Sequence, residues 1–312
     1  MKRVIVTGAT SMIGVALIKE CIRNNVKVLA IVRKQSAHLN RLPQCDLIEI
    51  CECDLDSLDS IELNGKSYDV LYHLAWDYTS KENRDNPFLQ ESNIRYTFDA
   101  VKLAQKAGCH KFVGAGSQAE YGRVDGKITP ETKVDPEISY GIAKYAAGKL
   151  SAKMCETYNI THIWGRVFSV YGCYDNAGTM LTYAIDQFLN GKPAKFSAAT
   201  QLWDYLHEDD AGRIFYLLGA KAEKNKEYCI ASGKSRPLKD FILELKELFE
   251  PAGNCEFNVG MGTGKIVELQ ADISELVRDI DYVPQVTFKE GISKMTEYRK
   301  QMFFGGGQNC NF

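Results

Sequence analysis

The sequence of 312 residues has no excess of charge of either sign. Its 38 Lys and Arg stand against 40 Asp and Glu, for a net charge of −2 and a pI of about 6.3. A nucleic-acid binder gathers Lys and Arg into a basic footprint, and none is available here, so no nucleic-acid partner is expected. No apolar run approaches the roughly 20 residues that a membrane span requires, so no membrane partner is expected either. The start, Met1-Lys2-Arg3, passes straight into Val4-Ile5-Val6. That lead is too short for a signal peptide, and a cytoplasmic location is the expectation. Internal repeats and low-complexity blocks are lacking too. Ten cysteines are present, but none sits in a CxxC pair. Cys51 and Cys53 alternate with Glu52 on one strand face, where a metal or redox pair is one reading and buried thiols the favoured one. A disulfide framework does not suit a chain of this length without a secretion signal.

What is present is an ordinary globular balance, 45% hydrophobic and 25% charged, with ample apolar side chains for a core. Strand-like runs at 3–7, 26–32, 47–51, 70–74, 111–115 and 162–168 alternate with helical patterns at 12–24, 87–107 and 138–158. Such alternation predicts parallel strands joined by right-handed crossovers, hence an α/β fold with a doubly wound parallel Rossmann sheet. After Phe168 the rhythm loosens: helices are expected at 179–189, 209–218, 238–249 and near 288–299, with a strand at 202–206. Residues 1–168 and about 200–219 are assigned to the domain built on this sheet. About 169–199 and 220–302 are assigned to a smaller α/β substrate-binding lobe, and 303–312 to a flexible tail.

The first strand ends in Thr7-Gly8-Ala9-Thr10-Ser11-Met12-Ile13-Gly14, with a helix beginning inside that stretch. Glycines let the backbone turn tightly and let a pyrophosphate approach the helix N-terminus, whose free N–H groups and dipole favour anions. A glycine-rich turn alone is weak evidence, and the strand–turn–helix context is what strengthens it. The second strand ends in Val32-Arg33-Lys34-Gln35-Ser36. An Asp or Glu here would repel a 2′-phosphate, whereas Arg33 and Lys34 would attract one, so NADP(H) is favoured and NAD(H) is the alternative. Asp54, followed by Leu55, could accept a hydrogen bond from adenine, and Leu74 with small Ala75 allows close approach to the dinucleotide. His73 reads as a packed core residue rather than a base.

Tyr140 and Lys144 lie four apart on a predicted helix and share a face. A phenol titrates near pH 10, and a neighbouring ammonium lowers that value toward useful acid–base work. Tyr-x-x-x-Lys alone is a weak motif; Ser117, at the end of the strand through Phe112–Gly116, strengthens it, because a doubly wound sheet places its site there.

Taken together, Thr7–Gly14, His73-Leu74-Ala75, Ser92-Asn93, Gly116-Ser117 with Tyr121-Gly122, Tyr140–Lys144, Arg166-Val167-Phe168 with Tyr171-Gly172, and Asp204–Asp210 resemble the extended short-chain dehydrogenase/reductases. This is the nucleotide-sugar epimerase/dehydratase/reductase superfamily, and the resemblance spans nearly the whole chain. It implies Tyr140 as acid/base, Lys144 as its partner and Ser117 as the substrate-orienting hydroxyl. It also implies Asn93, Val167 and Phe168 at the cofactor, a nucleoside diphosphate sugar under the second lobe, and a homodimer through the helices at 87–107 and 138–158.

Departures from the pattern are informative. Ser11 replaces the central glycine of the turn. The 4,6-dehydratases carry an acid pair after the active-site hydroxyl, and Gln118 and Ala119 cannot supply it, which disfavours dehydration. Glu120, one place on, has either a functional or a structural hydrogen-bonding role. Ser169 stands where many members have an asparagine, and Trp203 where a phosphate-binding arginine is usual; Trp203 could stack on substrate or simply pack. Gln118, Ser169, Lys192 and Trp203 are the candidate substrate contacts. The leading expectation is NADPH-dependent reduction of a 4-keto-6-deoxy nucleotide sugar. The alternatives are a 4-epimerase with tightly bound NAD and, from another class, a non-catalytic NADP-binding regulator.

Overall fold

A computed structural model describes residues 1–250, 253–259 and 267–304. The first two-thirds of the chain runs β1 (Arg3–Thr7), α1 (Met12–Arg23), β2 (Lys27–Val32), β3 (Ile48–Glu52), β4 (Val70–His73), α2 (Pro87–Lys106), β5 (Lys111–Ser117), α3 (Ser139–Thr157) and β6 (Thr161–Val167). There follow β7 (Ser169–Tyr171), α4 (Met180–Leu189), β8 (Ala194–Lys195), β9 (Leu202–Trp203), β10 (Tyr205–His207), α5 (Glu208–Lys221) and β11 (Lys226–Ile230). The remainder comprises β12 (Arg236–Pro237), α6 (Leu238–Glu247), β13 (Cys255–Glu256), α7 (Ser274–Ile280) and α8 (Phe288–Phe304).

Seven parallel strands form the central sheet in the order β11-β6-β5-β4-β1-β2-β3. Strands such as β4, Val70-Leu71-Tyr72-His73, are buried along their whole length, as a sheet covered on both faces requires. Helices α1 and α5 pack on one face around Val15, Ile18, Ile214 and Phe215. Helices α2 and α3 cover the other, around Val101, Leu103, Phe112 and Cys155. The strand order reverses between β1 and β4, so the ends of these two strands open the crevice where doubly wound sheets bind ligands.

The sequence assigned 226–230 to the smaller lobe, but the structure adds this strand to the edge of the central sheet, parallel to β6. Its alternating Lys226-Glu227-Tyr228-Cys229-Ile230 lacks the continuous apolar character of the central strands. Helix α7 follows it there, with Leu276 and Ile280 in the core of the α1–α5 face. The expected strand at 202–206 is two strands: β9 pairs with β12, and β10 with β7. The break falls at Asp204, whose buried carboxylate accepts from Ser232 N at 2.9 Å, Ser232 Oγ at 2.7 Å and Gly233 N at 2.9 Å. A separate apolar cluster joins α4, α6 and α8 through Ile185, Phe188, Ile242, Leu245 and Met295. Of the expected tail, 305–312 lie outside the described residues, and Phe303 and Phe304 close α8. Among the described residues no helix is long and apolar enough to cross a membrane, and the cysteines are free thiols.

Candidate active site

The turn after β1 fits a dinucleotide. Gly8 has φ +69, and a Cβ on it would meet Ala75 N at 2.7 Å. A Cβ on Gly14 would collide with the Gly8 carbonyl. The strand ends and the helix are thus in direct backbone contact, as a pyrophosphate cradle needs. Ser11 keeps this geometry without glycine: its φ of −71 and ψ of 161 are ordinary extended values, and its Oγ caps α1 by accepting from Gly14 N at 3.1 Å. Met12 and Ile13 open that helix, and Thr10 carries the carbonyl to which Arg41 Nη1 donates at 3.3 Å. Leu74 N and Ala75 N donate to Thr7, the first to its carbonyl and the second to its hydroxyl, both at 3.3 Å.

At the end of β2 two carboxylates lie beside the basic segment. Arg33 is paired with Asp77 at 3.0 Å. Asp77 is fixed through its backbone by buried Asn93, which accepts from Asp77 N at 2.8 Å and donates to Asp77 O at 3.1 Å. Asp54, expected at adenine, accepts from Lys34 N at 3.3 Å, beside buried Leu55. Asp77 and Arg41 escaped sequence reasoning because neither lies in the glycine turn or at the strand end. His73 is buried between the Thr7 hydroxyl at 2.9 Å and the Thr97 hydroxyl at 3.3 Å. Burial lowers its pKa to about 3, which leaves it neutral.

β5 delivers Ser117 and α3 delivers Tyr140 and Lys144, and the three converge. Ser117 is buried, its Oγ accepts from Ala119 N at 3.2 Å, and its own N–H donates to Glu120 Oε1 at 2.8 Å. Glu120 is fully buried and also accepts from Trp164 Nε1 at 3.0 Å and Arg166 Nε at 2.7 Å. Arg166 Nη2 pairs in turn with Glu227 at 2.6 Å. Burial works against the Arg166 charge, but Glu120 outweighs it and holds the guanidinium above its usual range.

Lys144 Nζ donates to Ala115 O at 2.6 Å and lies 3.8 Å from the Trp76 ring centroid. Burial pushes its ammonium down to about 7. The Trp76 indole donates to Gln90 Oε1 at 2.9 Å and meets Tyr140 edge-on at 6.0 Å. The Arg84 guanidinium carbon lies 4.3 Å from the Tyr140 ring centroid. Burial raises the Tyr140 pKa, whereas Arg84 and a hydrogen bond from Ser117 pull it down. Trp76, Gln90 and Arg84 carry no motif of their own; only the aromatic and cationic character of Trp76 and Arg84 near the end of β4 could have drawn attention to them.

Val167 ends β6, and Phe168 is buried, its N–H donating to Ile230 O at 3.1 Å. Gln118 opens the short turn after Ser117, and Ser169 starts β7. The Trp203 ring packs against both the α4–α6–α8 cluster and the Tyr121–Phe168 cluster, and its indole N–H has no hydrogen-bond partner among the described residues. Lys192 lies exposed on the turn leaving α4, its N–H donating to Gln187 O at 2.9 Å.

With this geometry in place, the family is plain. Residues 4–231 match the NAD dependent epimerase/dehydratase family, and the chain belongs to it, an enzyme of the extended short-chain dehydrogenase/reductase class. The dTDP-glucose 4,6-dehydratase of Haemophilus influenzae is 21% identical over 96% of this chain and 98% of its own length. A protein of Bacillus subtilis described as an uncharacterized UDP-glucose epimerase is 24% identical over 97% and 99%. The solved structure of UDP-glucuronic acid 4-epimerase from Bacillus cereus in complex with NAD is similar with a TM-score of 0.84 at 20% identity, covering 97% of this chain and 98% of that one.

Proposed function

We propose that the chain is a nucleotide-sugar 4-epimerase that retains NAD, oxidising a sugar carbon and reducing it again from the opposite face. The observation that carries this choice over the reductase expected from Arg33 and Lys34 is the Arg33–Asp77 pair. It engages the guanidinium and sets a carboxylate near the end of β2, a combination suited to the free ribose hydroxyls of NAD and unfavourable to a 2′-phosphate. The likeness to a UDP-sugar 4-epimerase with NAD supports the same reading.

The cofactor would lie along Gly8–Gly14, Ala75, Asn93, Val167 and Phe168, and when bound it supplies the hydride acceptor and donor. Tyr140 takes the proton of the sugar hydroxyl and returns it, Ser117 orients the same oxygen, and Lys144 places a positive charge beside the pair. Gln118 and Ala119 supply neither acid nor base for dehydration, although a dehydratase is among the relatives. Trp203 and Ser169 are candidate contacts for the sugar nucleotide, with Gln118 and Lys192 as further ones.

A specific observation favours the reductase as the second reading: Arg41 joins Arg33 and Lys34 near the turn, reaching Thr10 O. Cofactor analysis of purified protein, followed by assay on UDP-, dTDP-, CDP- and GDP-hexoses and their 4-keto derivatives, separates the two. Bound NAD and interconversion of C4 epimers without net cofactor consumption is the expected result. Stoichiometric NADPH oxidation on a 4-keto sugar would instead establish the reductase. The exposed Phe88 on α2 and Ile142 and Leu150 on α3 support pairing of two copies through these helices, which light scattering tests.

A further inference from the structure

Arg84 is held against α3 by the backbone on both sides of its side chain. The Tyr140 N–H donates to Arg84 O at 2.9 Å. The next residue, Asp85, accepts from Ser139 N at 3.0 Å through Oδ1 and from Ser139 Oγ at 3.1 Å through its carbonyl. Ile138, at the N-cap position of α3, offers no side-chain acceptor, so the loop before α2 supplies the cap instead. This anchoring sets the Arg84 guanidinium 4.3 Å from the Tyr140 ring centroid, whereas Lys144 Nζ is 5.9 Å from the same centroid and is taken up by Ala115 O and Trp76. Arg84 Nε is buried and has no hydrogen-bond partner among the described residues.

Building on the reading of Tyr140 as the acid/base, we propose that Arg84 is a positioning residue that makes Tyr140 a competent base, sharing the role expected of Lys144 alone. A phenolate spreads its negative charge into the ring, so a cation over the ring face favours the ionised form more than the neutral one. The groups facing Tyr140 are Arg84 from the loop, Lys144 from its own helix, Ser117 from β5, and Glu120 from the turn after it; of these, Glu120 opposes ionisation. Arginine stays charged throughout the working range, whereas burial pushes the Lys144 ammonium down to about 7. Arg84 therefore supplies the cation that persists when Lys144 is neutral.

Arg84→Met retains the aliphatic stem and the backbone contacts but removes the charge. For the purified protein, the near-ultraviolet phenolate titration of each variant, minus that of the same variant carrying Tyr140→Phe, isolates Tyr140. Arg84→Met is expected to raise its midpoint by about one pH unit, and Arg84→Lys to restore most of the shift. Once a substrate is in hand, the acidic limb of kcat/KM should move by the same amount, costing about tenfold at neutral pH. A merely structural Arg84 would lower the plateau and leave the limb in place. Coincident titrations of wild type and Arg84→Met, or no Tyr140 step in wild type before alkaline unfolding, would overturn the proposal. Full turnover by Tyr140→Phe would instead overturn the reading on which it rests.

Discussion

Two sides of the same site hold their charges in opposite ways. Beneath Ser117, the Glu120 carboxylate is enclosed by an amide, an indole and a guanidinium, and Arg166 is shared with Glu227. Around Tyr140, the cations Lys144 and Arg84 rest on aromatic rings and a carbonyl rather than on carboxylates. A paired buried network fixes geometry and resists change of protonation, because removing either partner strands a charge. Cations lying on rings leave their charge available, as the proton transfer proposed for Tyr140 requires. The first arrangement suits a scaffold for the Ser117 hydroxyl, the second a site of proton transfer.

Substitutions on either side put this contrast to the test. The largest effect is expected at the open side: Tyr140→Phe should cost about a hundred- to ten-thousandfold in kcat with an unchanged melting temperature, read from turnover and thermal unfolding together. On the closed side the damage should instead be to stability. Glu120→Ala leaves Arg166 and the Trp164 indole short of a buried partner, and a loss of about 3–5 kcal/mol is expected in urea unfolding. Combining Glu120→Gln with Arg166→Met should recover part of it. A Glu120→Ala protein as stable as wild type would show that the network is not structural.

At the rim, Asp77→Asn should raise the affinity ratio of NADP to NAD by about tenfold, close to the value of one contact charge screened nearly as in water. Titrating both cofactors against the protein checks this, and an unchanged ratio would remove the carboxylate from cofactor choice. The smallest effect belongs to Ser11→Ala, which removes the N-cap of α1 and should cost about 1 kcal/mol, measured by the same unfolding.

The residues legible in the sequence are those whose partners lie nearby in the chain. Gly8 and Gly14 bracket one turn, and Tyr140 and Lys144 sit one helical turn apart. Ser117 ends an apolar strand in the repeating strand–helix rhythm from which the sheet itself was read. What escaped was assembled from distant segments. Asp77 meets Arg33 only because β4 and β2 both border β1 in the sheet. Arg84 reaches Tyr140 across more than fifty residues of chain, and Glu120 needs β6 to bring it Trp164 and Arg166. The edge strand Lys226–Ile230 was misplaced for a related reason: its membership depends on β6 beside it, not on its own composition.

The cap that Asp85 lends to α3 ties the order of events in folding to the chemistry. A helix that lacks a cap of its own frays first at that end, and here the first turn carries Tyr140. Until the segment around Ser80–Asn86 docks, this turn is unsecured. Amide hydrogen exchange at Ser139 and Tyr140 should therefore track the opening of that segment rather than global unfolding, so loosening the loop would disarm the enzyme while the sheet beneath it stays whole.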